Sequence, residues 1–545
     1  MPKIFRTAAA LAAGTAALAL AAPAQADWKT VETKNFIYHS EDSLENIKEN
    51  VTHLETLDTL VRAITGNKKE PGIAKVRIFE VQDMAMLNRL VGSPGGLGGF
   101  YTNNDMGPYL FTFRQAISRN QSAFKTESSQ QVWGPQVRQH EYLHHYMYQY
   151  FNANYPSWYS EGFAEYYGST TFPEENVVEM GHPPMFRLES LRNNKWVPVS
   201  KLLTARSYDE IGADNLGAIY AQGWLLTHMA ARNPERGKQL GDYLNRLTKG
   251  ESYADAAKAA FGDLDQLDRD LRAHRNDLKA VRLSLKPLDF GQIKVTERTG
   301  LEDELFTYVM RLNIGIKESD LPLIRETVRK LRAPNMNLPL GIEVQARLAQ
   351  QARDWKEELA LGEQLLAQDP DSALGKYFKG HALVELVEKG APETAYDEGR
   401  KLLAEAAKDD LTNPEPLIDF YRAYLKGDGI PPASAQNALM EAYKLLPGYA
   451  MTRMYVARDF EWRGMYDEAI HVISPLAFGS FEGTDGQKKR RAKATAEMVE
   501  KYGRAVVVDT PIEMLKRLEA KRDGKWDEKT GKIVGSEDTV ADKAA

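Results

Sequence analysis

The alternation of apolar and polar residues along this chain changes from a strand pattern to a helix pattern. NFIYHS (35–40) and KVRIFEV (75–81) alternate apolar and polar residues, as expected for strands with one buried face. Between them, residues 44–64 carry apolar side chains at helical spacing. The N-terminal part is therefore predicted to mix strands with a helix, whereas residues 134–503 carry mostly helical patterns.

A glycine-rich segment, GSPGGLGGFYTNNDMGPYLFTF (92–113), interrupts the N-terminal pattern. It predicts a loop followed by a hairpin, with strands at 99–101 and 109–113 around the turn NNDMG. Closely spaced glycines also occur in phosphate-binding loops, but those loops require a Gly-Lys-Ser/Thr or a strand-to-helix GxGxxG that is missing here. A mobile turn is the preferred interpretation.

The second half of the chain carries a recurring helical pattern. RDWKEELALGEQLLAQDP (353–370) and RGMYDEAIHVISPLAF (463–478) each give a small turn, an aromatic residue, an acidic pair and an apolar helix that ends near proline. Pro370, Pro414 and Pro447 lie 44 and 33 residues apart, near the ~34 of helix-turn-helix repeats. The region resembles tetratricopeptide repeats in degenerate form, and a plain helical bundle without a repeat register is the alternative.

The N-terminus, MPKIFRTAAALAAGTAALALAAPAQA, has a basic start, an Ala/Leu run and the small-residue site Ala24-Gln25-Ala26. These features predict a signal peptide over residues 1–26 that is cleaved on export. A membrane anchor is disfavoured because the run is short, rich in alanine and ends at Pro23. No later segment has about twenty uninterrupted apolar residues, so we expect a bacterial periplasmic or secreted protein without a membrane span.

Length and composition indicate the number of domains, disfavour nucleic acid as a partner and limit the residue types that could bind a metal. A chain of 545 residues exceeds the usual size of one hydrophobic core, so two or more domains are expected. A formal net charge of -6 gives no overall attraction to phosphate backbones, and nucleic acid is not an expected partner. The chain has no cysteine, so any metal site must be built from histidine and carboxylate side chains.

The stretch HEYLHH (140–145) lies in a predicted helix that begins at Gly134-Pro135. Four residues advance a helix by about 400° and ~6 Å, so the imidazoles of His140 and His144 project from one face and can bind one ion. His145 is rotated about 100° further and points elsewhere. Glu141 is placed to take a proton from a metal-bound water, and a polar helix face without a metal is the alternative.

The next segment, YPSWYSEGFAEYYGS (155–169), predicts a second helix that starts near Pro156 and ends at Gly168. Glu161 and Glu165 are four residues apart and share a face, so a short antiparallel return would aim both at the histidine pair. One of them would be the third protein ligand that leaves a position open for water. A surface helix with two solvated glutamates is the alternative.

Residues 133–168 resemble the core of gluzincin metallopeptidases, the superfamily of thermolysin and the zinc aminopeptidases. WYSEGFAEY is similar to the aminopeptidase segment that carries the third zinc ligand before Gly-Phe-Ala. The resemblance implies a Zn2+ cofactor with His140, His144 and Glu161 as ligands, Glu141 as the general base and Glu165 as a support for a ligand histidine. Sixteen residues separate His144 from Glu161, two or three fewer than in those two groups, which implies a tight connection.

The β-rich N-terminal part, residues 133–168, IYAQGWLLTHMA (219–230) and SYADAAKAAFGDLDQLDRDLRAH (252–274) follow one another along the first half of the chain. This order resembles the peptidase MA-like bacterial domains of unassigned substrate. This likeness implies that the hairpin near residues 99–113 is a substrate-side edge strand, where a peptide could add as a further strand. No Gly-Ala-Met-Glu-Asn segment is present, which disfavours an aminopeptidase. Tyr220 is a candidate donor to the oxyanion, with a packed core tyrosine as the alternative. His228 is weighed in the same way and is expected to be a core residue.

The sequence as a whole predicts an α+β fold with a zincin-like catalytic half and an all-α repeat half. We expect an exported zinc metallopeptidase acting on peptide or protein substrates, with a protein partner on the repeats. A non-catalytic envelope scaffold that retains the zinc site and a hydrolase of non-peptide amides are the alternatives. The expected division is a signal peptide (1–26), an α/β part with the substrate-side strand (27–128), a helical zinc-binding part (129–285), a tetratricopeptide-like part (286–508) and a charged flexible tail (509–545).

Overall fold

The computed structural model has a mixed α+β fold, with a small β-sheet region near the N-terminus and a helical C-terminal region. The predicted signal peptide, the centre of the glycine-rich loop and most of the predicted tail beyond residue 527 lie outside the described residues. The described residues are 28–69, 74–92, 98–114, 134–151, 155–193, 195–205, 211–212, 215–298, 300–387, 390, 392–425, 430–479, 510–527 and 532–534.

The strands concentrate in the first three hundred residues. They are β1 (Lys29–Glu32), β2 (Phe36–Ser40), β3 (Val76–Val81), β4 (Phe100–Asn104), β5 (Gly107–Phe113), β6 (Thr171–Glu174), β7 (Val177–Met180), β8 (Val281–Ser284), β9 (Lys294–Glu297), β10 (Trp526–Asp527) and β11 (Lys532–Ile533).

The largest sheet in the described part of the chain has the order β4-β5-β3-β2-β1-β9. Strand β3 runs parallel to both β2 and β5, and the other neighbours are antiparallel. The β4–β5 hairpin closes with Asn104 opposite Gly107, which leaves Asp105 and Met106 as a two-residue turn. The predicted hairpin is therefore confirmed with a tighter turn, and β4 forms one edge of the sheet.

The helices make up most of the described residues. They are α1 (Leu44–Thr65), α2 (Met84–Val91), α3 (Gly134–Tyr150), α4 (Ser157–Gly168), α5 (Met185–Asn193), α6 (Val199–Thr204), α7 (Leu216–Arg232), α8 (Pro234–Thr248), α9 (Tyr253–Phe261), α10 (Leu264–His274), α11 (Leu301–Ile314), α12 (Leu321–Arg332), α13 (Pro339–Gln351), α14 (Trp355–Gln368), α15 (Ala373–Val387), α16 (Thr394–Asp409), α17 (Glu415–Leu425), α18 (Ala433–Leu445), α19 (Ala450–Trp462), α20 (Tyr466–Gly479) and α21 (Pro511–Arg522).

Local signals account for the first helix. The Ser43 side chain accepts a hydrogen bond from the Asn46 N–H at the start of α1, and Gly66 ends the helix in the left-handed conformation with φ +66°. The apolar face of α1 contributes Val51, Leu54 and further buried side chains to the main core. The predicted helix over residues 44–64 and the predicted strands on either side of it are confirmed.

The chain returns to the N-terminal sheet after residue 285, where the sequence analysis expected a domain boundary. Strand β9 pairs with β1, and α11 packs Phe306 and Met310 into a cluster with Trp28. The Trp28 N–H also donates to the Asp303 carboxylate, at 2.5 Å. The sheet unit therefore extends to about residue 314. The sequence analysis missed this extension because β9 has only four residues, too few to show a strand pattern.

Residues 510–527 also differ from the expected flexible tail. They form α21, which begins with a capping box between Thr510 and Glu513 and buries Met514 and Leu518 against α20. Arg517 adds ion pairs to the buried Glu461 carboxylate of α19. High charge content suggested disorder, but charges paired on one face leave the opposite face apolar.

The helical region from α11 to α20 is a chain of helices in which sequence neighbours pack on each other. Some of these contacts are close, since a Cβ atom at Gly362 of α14 would lie 2.6 Å from the Lys379 backbone nitrogen of α15. Within the described residues, no helix combines the length and apolar character required to cross a membrane.

Candidate metal centre

Helix α3 is fixed in its rotation by buried polar contacts on the side that faces the sheet. The Arg138 guanidinium donates to the Glu80 carboxylate at 2.6 Å and to the Tyr38 hydroxyl at 2.8 Å. One turn on, the Tyr142 hydroxyl donates to the Asp58 carboxylate at 2.5 Å. Because these side chains occupy one face of α3, the faces that carry the histidines are turned towards other elements.

Helix α4 runs back along α3 and comes close to it. A Cβ atom at Gly168 would lie 3.1 Å from the backbone nitrogen of His140, so glycine permits this approach. Glu161 and Glu165 lie on the α4 face that meets α3, and both are buried, with 7% and 4% exposure. Both carboxylates therefore face the histidine pair, as the sequence predicted for an antiparallel return of the second helix.

Three side chains converge on one point between the two helices. The Nε2 atoms of His140 and His144 are 3.1 Å apart, and the Glu161 Oε2 atom lies 3.2 Å from the first and 3.5 Å from the second. A tetrahedral zinc site with bonds of ~2.0–2.1 Å has ligand atoms roughly 3.3–3.4 Å apart. The separations and the donor types therefore fit a zinc ion, and these three residues form a group that can hold a metal.

Glu165 lies outside this triangle. Its Oε1 atom is 3.4 Å from Nδ1 of His140, the ring nitrogen that faces away from the centre, and 2.5 Å from Nη2 of Arg187. A carboxylate that binds the second nitrogen of a ligand histidine fixes its tautomer and ring orientation. On the other ligand, the Ser160 hydroxyl lies 3.5 Å from Nδ1 of His144.

The carboxylates around His140 favour its protonated form. Burial opposes its protonation, but the carboxylates of Glu161 and Glu165 raise the pKa of His140 to about 9. Burial also disfavours the charged form of Glu161, yet His144 and His140 hold its pKa well below the usual range. A metal ion that binds here must displace a proton, because only neutral imidazole is a ligand.

Glu141 is next to the triangle without being part of it. Burial raises the pKa of its carboxyl group, while the positive charge near His140 and His144 opposes the rise. The start of the edge strand β4 packs against this side chain, since a Cβ atom at Gly99 would lie 3.4 Å from Glu141 Cγ, and the backbone of Tyr101 helps to stabilise the charged carboxylate. A carboxyl group beside a possible cation-binding site is placed to exchange a proton with a group bound there.

The remaining sequence candidates divide into two groups. The Tyr220 ring lies 6.4 Å from the His140 ring, so this tyrosine of α7 belongs to the surroundings of the site. Its pKa is raised, first by burial and then by Glu161, so the phenol keeps its proton. His228 lies elsewhere, fully buried, with Nδ1 at 2.8 Å from Nε2 of His274, in agreement with its expected role as a core residue.

Two residues near the site were missed by sequence reasoning. The Arg187 guanidinium of α5 lies 4.4 Å over the Tyr220 ring and also binds Glu165. The backbone of Tyr101 in β4 helps to stabilise the charged Glu141 carboxylate. Neither position carries a local signal, because each reaches the site through tertiary packing of an element distant in sequence.

No protein-family model matches the chain, and no curated protein matches it.

Proposed function

We propose that this protein is an exported zinc metallopeptidase with a gluzincin-type centre. The observation that carries the proposal is the triangle of two imidazole nitrogens and one carboxylate oxygen, with the Glu141 carboxyl group beside it. A zinc ion held by these three side chains supplies Lewis-acid polarisation of a carbonyl oxygen and acidification of a water. A structural site has no need of a carboxylate next to its ligands, and three protein ligands leave a position open.

The residues of the chain take complementary parts in this proposal. Glu141 accepts the proton of the attacking water and passes it to the leaving amine. The protonated phenol of Tyr220 donates a hydrogen bond to the oxygen on which negative charge develops. Glu165, held by Arg187, keeps the His140 ring in the tautomer that presents Nε2 to the centre.

The edge strand β4 gives this site a place for a peptide. Strand β4 is bonded to β5 on one side and forms the edge of the sheet on the other, and it lies against Glu141. An extended peptide can add to such an edge through main-chain hydrogen bonds, which places its backbone beside the centre. This arrangement favours peptide or protein substrates over small non-peptide amides.

Helices α11 to α20 are proposed to form degenerate tetratricopeptide-like repeats that bind a partner or a long substrate. The predicted signal peptide places the mature protein in the periplasm or outside the cell. A scaffold that keeps its metal without hydrolysis is the second candidate, and the position of the Glu141 carboxyl group beside the ligand triangle argues against it.

The test compares the wild type with Glu141→Gln after reconstitution with zinc. Elemental analysis should give one zinc per chain for both proteins, because Glu141 lies outside the ligand triangle. The variant should lose hydrolysis of fluorescent casein and of a quenched peptide library, since an amide cannot accept the proton. Glu175→Gln, in an exposed turn, is the matched control and should behave as wild type.

The outcomes separate the candidates. Absence of bound zinc would reject the metal site altogether. Bound zinc without hydrolysis of either probe by the wild type would favour the scaffold, and equal hydrolysis by Glu141→Gln would reject the assigned base.

A further inference from the structure

The third histidine of HEYLHH, which takes no part in the metal triangle, holds the edge strand. The Nδ1 atom of His145 lies 3.1 Å from the Tyr101 hydroxyl, and that hydroxyl donates to the Asn103 amide oxygen at 2.5 Å. A phenol has one proton to donate, so Nδ1 of His145 carries the hydrogen and donates it to Tyr101. His145 is buried, with 6% exposure, so the α3 side of this link is shielded from water, whereas Tyr101 and Asn103 are partly exposed.

The helical region touches both elements that this link joins, α3 and β4. Gly448 lies in the loop between α18 and α19, and a Cβ atom there would lie 2.8 Å from Tyr148 Cβ and 2.9 Å from Asn103 Nδ2. The Tyr148 ring in turn stacks at 6.0 Å on the Tyr101 ring. Gly448 therefore sits in direct contact with the metal-site helix and the edge strand at the same time.

Two further contacts hold β4, one to the helical region and one to α3. The Asn104 side chain donates to the Asn313 carbonyl at the end of α11, at 3.5 Å. At the other end of β4, a Cβ atom at Gly99 would lie 2.5 Å from Val137 Cγ1, so this strand also approaches α3 closely. An edge strand has a sheet neighbour on one side, so such side-chain contacts determine its position on the other.

We propose that the helical region is a positioning element of the metal site. Gly448 contacts Asn103 and Tyr148, the Asn103–Tyr101–His145 hydrogen bonds fix β4 on α3, and the start of β4 at Gly99 then packs against the Glu141 side chain and orients its carboxylate. His145, Asn103 and Gly448 act through other residues and are positioning residues. The inference rests on the proposed function for its effect on catalysis, whereas its effect on the strand is independent of any activity.

The test places a side chain at Gly448 in the full-length protein. Gly448→Val should displace Asn103 and lower kcat with fluorescent casein about ten- to a hundredfold, because small displacements of a catalytic group have effects of this size. Zinc content should stay at that of the wild type. Gly241→Val is the matched control, since a Cβ atom at Gly241 of α8 meets no atom within 4 Å.

A second readout does not depend on hydrolysis. Hydrogen–deuterium exchange of the backbone amides of residues 100–104 should become faster in Gly448→Val and stay unchanged in Gly241→Val. If the wild type hydrolyses no probe, the proposed function fails, but this exchange difference still decides whether the helical region holds β4. Wild-type exchange in a folded Gly448→Val protein would overturn the inference.

Two substitutions at His145 separate positioning from general destabilisation. His145→Leu removes the donor to Tyr101 and should lower kcat and speed exchange in residues 100–104. His145→Asn puts an amide N–H near the Nδ1 position and should restore both in part. Equal losses in both His145 variants would reject the hydrogen bond as the cause. If Gly448→Val does not fold, Gly448→Ala replaces it in the same measurements.

Discussion

The two buried glutamates of α4 differ in the atom of His140 that each one faces. Glu161 approaches Nε2 of both histidines, whereas Glu165 approaches Nδ1 of His140 and is held by Arg187. Helical spacing alone gives both carboxylates the same face, so the difference arises from how α4 is offset along α3. The offset brings Glu161 to the two histidine Nε2 atoms, where it can bind a metal with them, and leaves Glu165 behind the His140 ring.

Alanine at each position should therefore have different effects on zinc affinity. Glu161→Ala leaves two protein ligands and should abolish tight binding. Glu165→Ala should weaken binding on the order of ten- to a hundredfold, or roughly 1.4 to 2.7 kcal/mol, because it removes a contact behind the ligand. Competition with a chelator measures both affinities. A larger loss for Glu165→Ala than for Glu161→Ala would reverse the two roles.

At the residue scale, the sequence predicted what helix geometry determines locally. The shared face of His140 and His144 follows from a spacing of four residues, and the structure brings them together. The partner of His145 was unpredictable, because Tyr101 lies 44 residues away and reaches it through packing of β4. The same reason hides Arg187, whose place beside Glu165 depends on how α5 packs against α7.

Among the elements, α4 and α7 form the closest helix pair around the site. A Cβ atom at Gly162 would lie 2.4 Å from the Gly223 carbonyl oxygen, and one at Gly223 would lie 2.3 Å from the Trp158 carbonyl oxygen. Both helix backbones would have to move apart to admit a side chain. Gly162 is thus required for the close packing of α4 on α7. This packing in turn sets the position of the neighbouring Glu161.

Gly162→Ala should disturb stability and metal binding together. Overpacking of this kind costs about 1–3 kcal/mol, and the shift of α4 moves the adjacent Glu161 away from the histidines. Urea unfolding and zinc titration should both report a loss. Gly241→Ala, in an open position of a helix, should be neutral or slightly stabilising. Wild-type stability and affinity in Gly162→Ala would show that α4 and α7 are less tightly packed than described here.

Element types were predictable where a pattern was long enough to show a period. Helix α1 and strands β2 and β3 follow their apolar patterns. Strand β9 has four exposed residues and so lacks any alternation of burial, and its pairing with β1 could not be foreseen. Helix α21 was missed because its charge content outweighed its apolar residues in the composition.

For the whole molecule, the chain beyond residue 285 is part of the sheet unit as well as of the helical region. Strand β9 and helix α11 both pack on the N-terminal sheet, so a truncation near residue 285 would remove Phe306 and Met310 and expose the cluster around Trp28. Amphipathic patterns predict which residues are buried but not which element covers them. The sequence therefore could not predict that β9 and α11 join the N-terminal sheet to the helical region.

Asp105, in the turn of the β4–β5 hairpin, carries a negative charge that opposes the packing of this turn on the helical region. Burial first, and then the carboxylates of Glu415 and Asp419 on α17, raise the pKa of Asp105 to about 6. Arg422 and Arg347 oppose the rise but do not cancel it. The charged form of Asp105 is therefore less favourable in the folded protein than in the unfolded chain, where aspartate has a pKa near ~3.9.

Linkage gives the sign of the pH dependence. Between pH ~4 and about 6 the folded protein holds a proton on Asp105 that the unfolded chain has released, so this residue lowers stability as pH rises through that window. Above about pH 6, the charged Asp105 lowers the free energy of unfolding by its full amount. Asp105→Asn should therefore stabilise the protein at pH 7.5, on the order of 1–3 kcal/mol, and have almost no effect at pH 4.

Urea unfolding of the wild type and Asp105→Asn at the two pH values measures this difference. Asp371→Asn, an exposed aspartate in the turn before α15, is the control and should show no comparable change between them. A less stable Asp105→Asn at pH 7.5 would mean that attraction to Arg422 and Arg347 outweighs burial and repulsion. The hairpin turn would then be held to the helical region by its charge, and the contacts of Gly448 and Asn313 would not be the main attachment of β4.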